Sequence, residues 1–210
     1  MTANVKTNFI SQAWLVLFLA LCFGALLAGM QIALGPTIEA NKINETLERV
    51  PILVFGAAHA TELSQSGMAI DPITVGVEKA GKTVRYNVYE TKSDGKLAGW
   101  VVKTAGQGYA DKIEMLIGFD PQVEKITGLY VLDQKETPGL GNKIVTDAWR
   151  GQFLAKSTGQ ALTAVKGQAK AGNEIDAITG ATISSKAVTD IINTAVNDLR
   201  KPLIAKAKGK

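Results

Sequence analysis

The chain has 210 residues, 46% of them hydrophobic, with 23 Lys and Arg against 19 Asp and Glu, one His and one Cys. That length fits one domain, or one domain with an appendage. The net charge of +4 equals the four lysines of the last ten residues, Lys201, Lys206, Lys208 and Lys210, so the body is neutral; it carries no basic stripe with interleaved aromatics, which argues against a nucleic-acid module. A lone Cys22 and a lone His59 exclude an internal disulfide and a Cys- or His-built metal centre supplied by this chain alone.

In chain order, a short tail (1–12) precedes an uncharged apolar run from Ala13 to Leu34. At about 1.5 Å per residue a helix over 13–34 spans roughly 33 Å, enough to cross a bilayer. The run is too long for a signal-peptide core, lacks a small-residue cleavage pattern and ends at a Pro36 break, so it reads as a retained anchor. Cys22 falls mid-helix and reads as a small membrane-buried residue. Gly24 and Gly29 would let a neighbouring helix approach closely. Lys6 before the run and Lys42 and Arg49 after it leave the orientation open.

Residues 35–65 read as a connecting helix and linker, with Ile38, Ile43, Leu47 and Val50 at near-helical spacing. The domain proper is expected over 66–200. Alternating runs at 73–78, 83–91, 97–104, 112–119 and 125–133 read as strands, and the Lys-Ser-Asp-Gly-Lys and Asp-Pro-Gln turns between them predict an antiparallel sheet. A helix is expected to open at Thr146-Asp147 and to carry Ala148, Trp149, Phe153 and Leu154 toward the core. In the last helix Val188, Ile191, Ile192, Ala195, Val196 and Leu199 form one stripe that should end before Pro202, leaving 201–210 as a basic tail. Strands followed by helices give an α+β fold: a largely antiparallel sheet with flanking helices behind one transmembrane helix.

Two segments are not explained by sheet or helix patterning. Glu136-Thr137-Pro138-Gly139-Leu140-Gly141-Asn142-Lys143 reads either as a Pro-Gly turn or as a backbone surface for a flat or anionic ligand, with Lys143 assisting by charge. Asp176 to Ser185 combines hydroxyls, Gly180 and Ala181 at a helix start. That pattern reads either as capping by Thr182 or Ser184, with Asp176 forming a turn, or as an anion site. Trp100, Tyr109 and Trp149 are candidates for aromatic contact but read first as core. His59 stands in an unrelated segment and reads as an ordinary residue. No Ser-His-Asp set, P-loop or dinucleotide fingerprint competes for a site.

Read together, these segments resemble the FMN-binding domain family, whose members carry D-x-x-[ST]-G-A-T-x-[ST], here Asp176, Thr179, Gly180, Ala181, Thr182 and Ser184, downstream of E-T-P-G-L-G, here Glu136 to Gly141. The anchor, the length and the stretch from Gly108 to Ile144 are most similar to G subunits of Rnf-type ferredoxin:NAD⁺ oxidoreductases. Gln134 stands where related sequences often have His, two residues before Glu136.

The resemblance implies FMN joined through its phosphate to Thr182, with Thr179, Gly180, Ala181, Ser184, Glu136, Thr137, Gly139, Leu140, Gly141 and Lys143 around it and no metal site. It implies a separate Mg²⁺-dependent flavin transferase that uses FAD and reads Asp176. That is chemically reasonable, since a threonine hydroxyl is a weak nucleophile without an adjacent base. It also implies an electron relay without stand-alone catalysis, partnered by the other subunits of an ion-translocating membrane complex and held on the extracytoplasmic face. Two alternatives are the C subunit of a Na⁺-translocating NADH:quinone reductase and a non-redox anchored scaffold.

Overall fold

The computed structural model describes residues 9–63, 67–79 and 81–209; the expected domain start at 66, the first eight residues of the tail and Lys210 lie outside them. Helix α1 runs over Phe9–Phe55. The chain divides into two compact units, Met1–Glu45 and Thr46–Lys210. In the first, α1 exposes Leu17, Phe23, Leu26, Leu27 and Ile32. It is long and apolar enough to cross a membrane. The expected break at Pro36 is absent, because α1 continues through it. A proline costs the helix one backbone hydrogen bond and a steric adjustment at the preceding turn.

In the second unit, β1 (Met68–Lys79), β2 (Lys82–Ser93), β3 (Lys96–Gln107), β4 (Lys112–Phe119) and β5 (Ile126–Asp133) form one antiparallel sheet in sequence order. The β2–β3 hairpin turns on Asp94 and Gly95, both with positive φ, the primed geometry that matches strand twist. Alternation divides the sheet residues between two faces. Val88, Trp100, Val102, Met115 and Ile117 face the main core, while Tyr89, Val101 and Leu116 meet Val50 and Leu53 of the end of α1. Helix α4 (Thr182–Lys208) closes the main core with Val188, Ile191, Ile192, Ala195, Val196 and Leu199, the stripe expected from spacing.

The last helix and the one after β5 also differ from expectation. Helix α4 passes through Pro202, since Leu203, fully buried, carries the stripe one turn further. The helix expected at Thr146 shrinks to a single turn, α3 (Asp147–Arg150), flanked by 3₁₀ turns over Gly141–Val145 and Gly151–Phe153. Trp149 and Phe153 are buried, but Leu154 and Ala148 are exposed, because so short a helix presents only a narrow apolar edge. A short α2 (Ala57–Leu63) carries exposed His59, and a parallel pair, β6 (Thr163–Val165) with β7 (Glu174–Asp176), was not foreseen. Three-residue strands leave too little alternation to be read.

Candidate functional site

The Glu136–Gly141 segment leaves β5 and turns on itself, with the N–H groups of Leu140 and Asn142 both donating to Thr137 O at 3.2 Å. Glu136 is 4% exposed. The Ala110 N–H donates to its Oε1 at 3.0 Å, and the Ser184 hydroxyl donates to its Oε2. Its own N–H donates to Gln134 Oε1 at 2.6 Å. The buried carboxylate is therefore hydrogen-bonded from two distant segments. It ties the turn after β5 to the first turn of α4. Gly141 fills the gap between them: a Cβ there would lie 2.6 Å from Ser184 Oγ and 2.9 Å from Glu136.

The second segment enters α4 through β7. The Ala181 N–H donates to Ile178 O at 2.9 Å, and Ser185 Oγ accepts the Ile178 N–H at 3.0 Å while donating to Ala181 O at 3.0 Å. Ala181 is the N-cap residue, and no side chain caps the helix. The expected capping by Thr182 or Ser184 is therefore absent: Ser184 is drawn away by Glu136, and Thr182 is the first helical residue. The leading N–H groups of a helix need acceptors and carry its positive end. Asp176 does not simply form a turn. It ends β7, its Oδ1 accepts the Ala169 N–H, and its carbonyl accepts the Trp149 indole N–H at 2.8 Å.

A cavity of about 850 Å³ opens at this junction, lined from the first segment by Thr137, Leu140 and Gly141 and from the second by the run Ala177 to Ser184. Its size falls in the range of about 300–1,000 Å³ usual for small-ligand sites. Leu140 lies across Gly180, whose positive φ of 81° brings that backbone close. Thr179, Gly180, Ala181, Thr182 and Ser184 thus come together with Thr137, Leu140 and Gly141. Glu136 sits behind the wall, while Gly139 and the exposed Lys143 are not among the lining residues. Tyr109, 62% exposed, lines the cavity; Trp100 and Trp149 are core. Lys166 and Gly167 also line it and were missed, since a Lys-Gly pair in a polar stretch carries no signal until β6 and β7 pair. A second groove, about 750 Å³, lies along β2, β3 and α4 and shares only Ile183 and none of the expected site residues. Among the described residues no cluster of His, Cys, Asp and Glu could hold a metal ion.

Residues 108–197, which include both segments and the cavity between them, match the FMN-binding domain family. The chain is also 36% identical over 201 residues to the G subunit of the Na(+)-translocating ferredoxin:NAD(+) oxidoreductase complex of Acetobacterium woodii, covering 92% of this chain and 93% of that one. The chain belongs to the FMN-binding domain family. The C subunit of the Na(+)-translocating NADH-quinone reductase of Vibrio anguillarum is 29% identical, over 73% of this chain and 67% of its own. The crystal structure of Shewanella oneidensis NqrC superimposes with a TM-score of 0.65 at 19% identity, covering 81% of this chain and all of that one, and shows the same fold.

The donor set of the cavity fits a flavin mononucleotide. Leu140, Ile178, Ile183 and Tyr109 offer apolar and aromatic surface for a flat ring, and the uncapped start of α4 offers N–H groups for a phosphate.

Proposed function

We propose that this chain is an FMN-carrying electron-transfer subunit of an Rnf-type membrane complex that couples ferredoxin:NAD⁺ oxidoreduction to ion translocation. In this reading FMN is held covalently through its phosphate on Thr182. The observation that carries it is the position of Thr182: the first residue of an uncapped helix, at the wall of a cavity that both segments build.

Bound FMN supplies the one- and two-electron chemistry of its isoalloxazine ring. The protein's own residues hold it. Thr182 Oγ would carry the phosphate, and the first N–H groups of α4 would receive its oxygens. Leu140, across Gly180, and Tyr109 would shield the ring, and Glu136 keeps the two walls together from behind. No described residue is placed as a base for the Thr182 hydroxyl. A separate flavin transferase that reads Asp176 to Thr182 would make the link, forming the Thr182 Oγ–P bond, breaking the pyrophosphate bond of FAD and releasing AMP. The anchor of α1 keeps the carrier beside membrane partners, with the domain on the extracytoplasmic side.

Intact mass of the full chain from cells containing the transferase tests the reading. The wild type should carry the mass of FMN less water, and Thr182→Ala should lose it while melting at the same temperature. An unmodified wild type overturns the proposal. The proteins that co-purify separate this assignment from the C subunit of a quinone reductase, which the fold fits equally well.

A further inference from the structure

Among the described residues that line the cavity at α4, Lys166 is the only charged one. It follows Val165, which pairs with Asp176 in the β6–β7 ladder, and the Ala177 N–H donates to Val165 O at 2.8 Å. Lys166 therefore emerges beside Ala177 and Ile178, and Ile178 is bonded to the first turn of α4 through Ser185 and Ala181.

The nearby acids are directed to backbone rather than to this lysine. Asp176 Oδ1 accepts the Ala169 N–H, and Glu174 Oε2 accepts the N–H groups of Lys170 and Ala171 at 2.7 and 3.0 Å. Both carboxylates thus shape the 166–171 turn, and among the described residues no ion pair joins either of them to Lys166. Lys143, expected to bring positive charge, does not line the cavity.

We propose that Lys166 is the counter-charge for the phosphate of the nucleotide, during loading and afterwards, on a turn that Asp176 holds in place. The proposal rests on the FMN reading above. The start of α4 offers N–H dipoles but no full positive charge, and a flexible ammonium can follow the phosphate from its entering to its bonded position. It also gives Asp176 a positioning role within this chain, separate from recognition by the transferase.

The test uses the full chain in detergent, matured in cells with the transferase, as wild type, Lys166→Ala and Lys166→Arg. Initial loading rate is read by intact mass, the phosphodiester by its ³¹P resonance, and the ring by its midpoint potential. Lys166→Ala should load about tenfold more slowly, the scale of one charge-assisted hydrogen bond at a solvent-open site. Its ³¹P resonance should move while the potential stays, and Lys166→Arg should restore both rate and resonance. Equal loading with an unmoved resonance overturns the proposal. A shifted potential with an unmoved resonance also overturns it, because the lysine would then face the ring. Loss of loading in both variants, at an unchanged melting temperature, assigns Lys166 to a transferase contact instead. A wild type without added mass sinks the underlying FMN reading, which is a different result from a wild type and an alanine variant that load alike.

Discussion

The two parts of α4 do different work with the same backbone. From Val188 to Leu203 its apolar stripe is buried against the sheet, and each large side chain contributes by area, about 1.5–3 kcal/mol when fully buried. In the first turn, Thr182 and Ile183 reach a cavity, the helix start is uncapped, and what order there is comes from Ser184 and Ser185. Stability is concentrated where the helix is covered, and polar groups without partners in the fold are concentrated where it meets the cavity. The largest effect on folding should therefore come from the stripe. Ile192→Ala, at a fully buried site, should cost about 2–5 kcal/mol in urea unfolding of the detergent-solubilised chain. At temperatures where the variant remains folded, its loading with FMN should match the wild type. Reduced loading of the folded variant would erase the division between the two parts.

A smaller loss of stability should do more harm at the other end. Ser184→Ala removes the hydroxyl that reaches the buried carboxylate of Glu136 and should cost about 1–3 kcal/mol, the penalty of leaving a buried polar group short of a partner. Unlike Ile192→Ala, it should slow loading at a temperature where the domain is folded, because the first turn of α4 is no longer tied to the turn after β5. Paired melting and mass measurements on the two variants sharpen the contrast: one loses more stability, the other more loading.

The stripe of α4 and the five long strands were legible because their periods are sustained over many residues. The site was legible only in part. Thr182, Gly180 and Leu140 stood in two recognisable segments, but their meeting depends on a contact between Glu136 and Ser184, 48 residues apart, which no local pattern encodes. Lys166 was invisible for the same reason, since its place is fixed by β6 and β7, too short to show alternation. Pro36 and Pro202 misled in the other direction. The local rule that a proline ends a helix was overridden at Pro202 by the buried Leu203.

The smallest effect lies within the covered part of α4 and separates polar from apolar contributions there. Tyr86 of β2 donates its hydroxyl to Asp198 Oδ2 at 2.6 Å, and Asp198 also pairs with Lys79 at 3.1 Å. Burial first, and then the bond to Asp198 and its negative charge, push the Tyr86 hydroxyl well above its ordinary value. The neutral phenol is thus favoured in the fold, whereas the unfolded chain ionises near pH 10. This contribution is complete below about pH 10 and declines as pH rises beyond it, because only the unfolded state then gives up its proton. Tyr86→Phe should cost about 1.5 kcal/mol at neutral pH, the low end for a hydrogen bond to a charged group, because Asp198 keeps its ion pair with Lys79. It should also flatten the fall in urea midpoint between about pH 9 and pH 11 without abolishing it, because burial raises Tyr89 in the same direction. An unchanged slope in the variant would mean that the hydroxyl ionises as readily in the fold as outside it, and that the sheet-facing side of α4 is held by area alone.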